Sequence, residues 1–187
     1  MYRLAAALLL ALAGPALSAP ASYVLEPTAS SVGFETDFGP DHITGKMPVL
    51  RADLVLDFDH VADCKVDVAV DVTGADANFP FATQAMKGPK VLDAGRFPQI
   101  TFVSTAVRAK GEGAEVDGIL TIRGVSRPVQ MQAVIWRQKG HKAGDLSHLT
   151  VRLTGAVLRS SFGATGWADM VGDQVRLDIM ARIARVD

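Results

Sequence analysis

From Tyr23 onward, apolar side chains recur every second residue rather than at helical spacing. Val66, Val68, Val70 and Val72 alternate with Asp67, Ala69 and Asp71, the pattern of a strand with one face turned away from water. Phe34, Thr36 and Phe38 alternate with Glu35 and Asp37, and Leu54, Leu56 and Phe58 alternate with Val55 and Asp57. The same period marks Ile100/Phe102, Leu120/Ile122, Val129/Met131/Ala133/Ile135, Val151/Leu153/Val157 and Val175/Leu177/Ile179/Ile183. Turn-forming residues separate the runs: Gly39-Pro40-Asp41, Lys110-Gly111-Glu112-Gly113, Gly124, Lys139-Gly140 and Val171-Gly172-Asp173. About eight such strands predict an all-β fold, either an antiparallel barrel or a sandwich.

The alternation fails once. Residues 73–99 join the valine strand to the Ile100 strand, and they carry Phe79, Phe81, Met86, Val91, Leu92 and Phe97 among Pro80, Gly88, Pro89 and Pro98. A short helix is predicted over 82–87, stopped at Gly88 because Pro89 cannot continue it. Connections of this length are uncommon in compact domains. This one is either a plug that completes one end of the core or a lid over it, and length alone does not choose. No second composition regime and no fixed-period repeat occurs, so a single domain is expected over 22–187.

Residues 1–21 stand outside the pattern. Arg3 precedes an unbroken apolar run over 4–13, Gly14 and Pro15 break it, and Ala19-Pro20-Ala21 supplies small residues. The run is too short for a bilayer core, which needs about 20 residues. The arrangement reads as a secretory signal cut after Ala21, and no cysteine follows the site to mark a lipoprotein. Nothing else in the chain is long and apolar enough to span a membrane as a helix. An exported protein is expected.

Charge and chemistry narrow the function classes. Lys plus Arg number 19 and Asp plus Glu 20, a net charge of −1, which argues against an extended basic surface for nucleic acid. The single cysteine, Cys64, excludes an internal disulfide and leaves no zinc-finger array. No GxSxG, SxxK, HExxH or phosphate-binding glycine pattern is present. Glu35 and Asp37 would share a strand face, expected to be the solvated one. His141, Asp145 and His148 are metal-ligand types, but they lie in a Gly- and Lys-rich stretch that fixes no geometry, so no metal is expected. Cys64 reads as a small, partly buried filler, and Arg123 and Arg159 as residues that fix turns or neighbouring carbonyls.

Several segments carry a family resemblance. Arg96-Phe97-Pro98-Gln99-Ile100-Thr101-Phe102-Val103-Ser104-Thr105 resembles the FP-x-I-x-F-x-S-T strand of the YceI-like, lipid- or polyisoprenoid-binding family. The segment from Gly118 through Leu120-Thr121, Arg123-Gly124-Val125 and Pro128-Val129 is similar to its G-x-LT-x-RGV-x-x-PV motif. Arg159-Ser160-Ser161-Phe162-Gly163 resembles its R-S-x-FG turn, Val171-Gly172-Asp173-Gln174-Val175 follows in place, and Ser30-Ser31-Val32-Gly33-Phe34 fits near the start. Two departures stand out. Members often have a His four residues after the first Phe, where this chain has Phe38. The RD-x-HL signature of the long connection is replaced by Phe79-Pro80-Phe81-Ala82-Thr83-Gln84-Ala85-Met86-Lys87-Gly88-Pro89. Polar contacts made there by other members do not transfer.

The resemblance implies an eight-stranded, lipocalin-like antiparallel barrel holding an amphiphile with a long apolar tail: an isoprenoid quinone, a polyprenol, or a fatty acid or amide. It also implies a bacterial periplasmic setting. Such a carrier needs no cofactor and no catalytic residue, only a dry tunnel with a few polar groups at its mouth. Burying about ten methylenes supplies ~8 kcal/mol gross, which ordering costs reduce to roughly micromolar affinity. The tunnel is expected to be lined by Phe34, Phe38, Phe79, Phe81, Met86, Phe102, Ile122, Trp136, Phe162 and Trp167. A closed barrel has no free edge to admit a tail, so segment 73–99, hinged at Gly88-Pro89, is expected to be the gate. Two other readings stay open: an enzyme acting on a hydrophobic substrate in the cavity, and a packed barrel serving as an interaction or stress module. A homodimer is compatible with all three.

Overall fold

The computed structural model describes residues 20–186; the predicted export signal, apart from its last two residues, lies outside them. Eleven strand segments and one α-helix follow in order: β1 (Ala21–Leu25), β2 (Ser31–Phe38), β3 (Asp41–Met47), β4 (Val49–Leu56), β5 (Lys65–Asp71), β6 (Asp76–Ala77), α1 (Pro80–Lys87), β7 (Gln99–Lys110), β8 (Gly113–Ile122), β9 (Val125–Arg137), β10 (His148–Leu158) and β11 (Val171–Arg185). Every pairing is antiparallel. β1 and β2 both pair with β11, while β4 and β3 continue that arrangement on their other side. The eleven segments therefore occupy eight positions, and the β1–β11 pairing closes them into a barrel. The fold is the all-β, eight-stranded barrel with one short helix that the alternation and the resemblance imply.

The period of two decides which residues face inward, and bulges repair it where it slips. On β11, Val175, Leu177, Ile179 and Ile183 line the interior, while Arg176 turns out to pair with Glu35 and Asp37. That pairing puts the two carboxylates on the solvated face. On β7, Ile100 and Phe102 point in; a register shift between Ser104 and Ala106 changes the parity, and Val107 points in next. Two inward rings need glycine opposite them. A Cβ on Gly118 would strike the Phe102 ring, and one on Gly45 the Phe34 ring, so each ring occupies the space a side chain would take.

Three local expectations change. The helix begins at Pro80, two residues before the predicted start, because proline at the first helical position lacks only an N–H that would have no partner there. The strand expected over 54–58 is Val49–Leu56, and Phe58 lies beyond it. Val171-Gly172-Asp173 is not a turn but the start of β11. It holds the register shift between Val171 and Val175, whose loose carbonyls at Gly172 and Gln174 accept the Thr36 hydroxyl at 3.1 and 2.9 Å.

Candidate functional site

The barrel encloses a cavity of about 820 Å³, and its wall runs from α1 at one end, the helix end, to the β9–β10 loop at the other, the far end. All ten residues expected to line a tunnel are on that wall. Phe34, Phe102 and Phe162 are buried, and Ile122 packs against the clusters that contain them. Phe38, Phe79, Phe81, Met86 and Trp167 gather at the helix end, where the Phe38 and Phe79 rings lie 6.5 Å apart. Two positions differ from the expectation of a tunnel interior. Phe81 is 72% exposed and forms the lip. Trp136 sits at the far rim, one residue out of phase with the inward Met131, Ala133 and Ile135, and is exposed.

Segment 73–99 resolves into two fixed shoulders with α1 between them. In the first shoulder, Asn78 donates its backbone N–H to Thr44 O and its side-chain amide to His42 O, capping the edge of β3. In the second, the Gly88 carbonyl accepts the N–H groups of Val91 and Asp93. Leu92 and Ala94 are buried there, and Arg123 donates to Val91 O at 2.5 Å. The helix itself buries no residue. It offers Phe81, Ala82, Ala85 and Met86 to the cavity.

Beside α1, one arginine organises the β10–β11 connection. Arg159 is 8% exposed and donates to four carbonyls: Gly172 at 2.8 Å from Nε, Ala164 at 2.6 Å and Gly166 at 2.8 Å from Nη1, and Val171 at 2.8 Å from Nη2. A planar fork of donors can serve four acceptors where a lysine could not. Hydrogen bonds from Ser160 hold the Asp173 carboxyl below its ordinary range, with the Arg159 charge adding to the effect. The loop so fixed presents Met170, 48% exposed, and Trp167, whose φ of 52° is unusual for a large side chain. The Lys90 ammonium lies 5.7 Å from the Trp167 ring centroid.

The far end is built differently. Tyr23, Leu56, Leu149 and Ile183 form a buried cluster, and Tyr23 donates its hydroxyl to Leu146 O at 2.9 Å. Burial raises the Tyr23 phenol above its ordinary range. Asp57, a polar group on the wall, accepts the N–H groups of Asp59 at 2.9 Å and His60 at 2.8 Å, which fixes the chain entering the turn Val61–Asp63. Those bonds, the His60 one foremost, hold its carboxyl below the usual range. His60 and Asp63 approach it closely enough to share an ion, but the two backbone N–H groups of Asp59 and His60 already account for the buried carboxylate. Cys64 is half-buried, and desolvation pushes its thiol up, away from the reactive thiolate. His141 and His148 stack at 4.7 Å, with His141 hydrogen-bonded to Asp145.

The alternation places Thr36 on the inward face with Phe34 and Phe38, but it does not single out Asp57, Glu112 or Arg137, which also reach the wall. They are polar members of strands or turns, and only the closed register shows that they lie at a rim or face inward. Val151 and Leu153 belong to an alternating run without being singled out as lining, and Leu149 extends that inward face by one more alternate position.

Comparison with known proteins agrees with the geometry. The YceI-like domain profile matches residues 23–183. A UPF0312 protein of Vibrio parahaemolyticus is 33% identical over 133 residues, covering 69% of this chain and 70% of its own. The crystal structure of Burkholderia cenocepacia BcnA superposes with a TM-score of 0.74 at 22% identity, covering 84% of this chain and 98% of that one. A polyisoprenoid binding domain from Saccharophagus degradans, implicated in plant cell wall breakdown, superposes with a TM-score of 0.63 at 11% identity, covering 89% and 99%.

Proposed function

The chain belongs to the YceI-like family, and we propose that it is a periplasmic binding and carrier protein for an amphiphilic lipid whose apolar tail lies inside the barrel. The observation that carries this reading is the cavity itself: about 820 Å³, enclosed by a closed sheet and walled almost wholly by aliphatic and aromatic side chains. That volume is in the upper part of the range for ligand sites, roughly 300–1,000 Å³. A dry apolar tunnel selects a tail, and isoprenoid quinones, polyprenols and fatty acids or amides share that feature. The Saccharophagus degradans domain, a polyisoprenoid binding domain, points the same way.

The polar groups on the wall favour binding over turnover. The Arg159 guanidinium is taken up by four carbonyls, and the Asp57 carboxylate by two backbone N–H groups. A head group would therefore meet the rims, where Glu112 and Arg137 lie at the far end. Export is part of the proposal and rests on Arg3, the apolar run over 4–13 and the small residues at Ala19 and Ala21.

Mass spectrometry of protein purified without detergent tests both parts. The intact mass should place the N-terminus at or near Ser22, and organic extraction should release a long-tailed amphiphile in near-stoichiometric amount. Phe102→Asp puts an unpaired carboxylate in the apolar wall; the folded fraction of that variant should come out empty. Extracts without any lipid, or equal lipid in the folded variant, would overturn the carrier reading. A native species starting only at Met1 would overturn export.

A further inference from the structure

At the helix end the apolar wall does not stop at the mouth. Phe38, Phe79, Phe81 and Met170 are 36, 41, 72 and 48% exposed, and all four also line the cavity. Contiguous exposed apolar surface of this kind marks an interaction site in a folded protein. Here it is continuous with the inside of the tunnel. From Ala77 to Leu92 the chain carries two lysines, Lys87 and Lys90, and no carboxylate. Asp76 and Asp93 flank that stretch, Asp76 accepting the Thr83 hydroxyl and Asp93 pairing with Arg96; beside the rest of the patch Asp37 is paired with Arg176, while Asp41 and Asp169 are exposed.

We propose that this end is a docking surface for an anionic phospholipid bilayer, with Phe79, Phe81 and Met170 entering the interface and Lys87 and Lys90 facing the head groups. The inference rests on the carrier reading for its direction. A tail moving between a membrane and the barrel avoids water only when the open mouth is pressed onto the bilayer. The aromatic lip suits that role because such rings partition into the interfacial layer and basic side chains add attraction to anionic lipid. A protein partner would not require the patch to run on into the cavity wall.

The two tryptophans sit at opposite ends, Trp167 at the helix end and Trp136 at the far rim, and so report orientation. In the Trp136→Phe protein, vesicles of phosphatidylcholine with a minority of phosphatidylglycerol should shift Trp167 emission to the blue, and brominated acyl chains should quench it. In the Trp167→Phe protein, Trp136 emission should not change. Co-sedimentation, which uptake of a lipid from the vesicle cannot by itself produce, should show binding that is weaker to phosphatidylcholine alone. Phe81→Ser should weaken it about tenfold, and Lys87→Gln with Lys90→Gln should remove the dependence on anionic lipid.

Three outcomes would overturn the proposal. One is absence of co-sedimentation with either vesicle. A second is a response from Trp136 instead of Trp167. The third is a dimer in sedimentation velocity that Phe81→Ser dissociates, which would make a second copy of the chain the occupant. A tightly held lipid found by extraction together with no vesicle binding would leave the carrier reading intact and remove the docking surface.

Discussion

At the far end, Leu149 and Ile183 are 1 and 0% exposed and Tyr23 is tied to the β9–β10 loop by its hydroxyl, whereas at the helix end α1 buries no residue. The far end is closed by the inward faces of paired strands, so ladder hydrogen bonds and apolar packing reinforce each other. The helix end is closed by connections, and their backbone groups have to be held by side chains: Arg159 serves four carbonyls and Arg123 one. All three non-glycine residues with positive φ, Asp93, Arg123 and Trp167, belong to these helix-end connections among the described residues. Strain of this kind is kept only where the surroundings over-determine it. The contrast separates two ways of stabilising a barrel end: one distributed over many apolar contacts, the other concentrated in a few polar ones that leave an opening.

The sharpest way to break the comparison is at its concentrated point. Arg159→Ala strips the donors from four carbonyls near the cavity and should cost about 3–5 kcal/mol, measured by urea denaturation. Arg159→Lys should recover only a minor part, since one ammonium cannot reproduce the fork. A loss below ~1 kcal/mol would mean that water or loop rearrangement satisfies those carbonyls, and that the helix end does not depend on one side chain. At the far end, Ile183→Ala should cost about 3 kcal/mol through lost burial and the cavity left behind. It should not alter the Trp167 environment. A change in Trp167 emission in that variant would show that the two ends are coupled through the barrel.

The two ends also differ in how far they could be read from sequence. The far end obeys the period of two: Leu54 and Leu56 on β4, Val151 and Leu153 on β10, and Ile179 and Ile183 on β11 all belong to runs that alternate. Trp136 reaches the wall only at its rim, because strand parity turns it away from the inward Ile135 while hydrophobicity alone makes it look like tunnel lining. The helix end sits where periodicity fails. Phe79, Phe81 and Met86 could be singled out there as apolar residues in a long connection, but only tertiary contacts assign Phe81 to the lip and Leu92 to the core. The Val171–Asp173 segment looked like a turn because Gly-Asp is a turn signal. The Arg159 and Thr36 hydrogen bonds that hold it as a bulged strand start span more than ten residues, and no local pattern encodes them.

The smallest expected effect decides whether the helix end is a gate. An eight-residue helix with no buried side chain is marginal by itself, and what holds it is Met86 against the core and three hydrogen bonds from the shoulders. Its shoulders are different: the Val91 and Asp93 amides are bound to the Gly88 carbonyl, and the Val91 carbonyl to Arg123. The Gly88-Pro89 hinge expected from sequence is thereby anchored on its C-terminal side, so movement would be confined to α1. Opening α1 breaks its own hydrogen bonds and the three that tie it to the shoulders, from the N–H groups of Leu92 to Met86 O, Ala94 to Lys87 O and Ala77 to Thr83 Oγ1, but no ladder; its amides should exchange by local opening while those of Lys65–Asp71 wait for larger unfolding. A tail in the cavity adds contacts to Ala82, Ala85 and Met86, so lipid loading should slow exchange over 83–87 by about tenfold, or ~1.4 kcal/mol. The amides of Val91 and Asp93 should already be slow in the lipid-free protein and should change little. Equal protection of α1 and its shoulders, unaltered by lipid, would make the whole connection a plug, and the route for the tail would then have to be sought at the far rim beside Glu112 and Arg137.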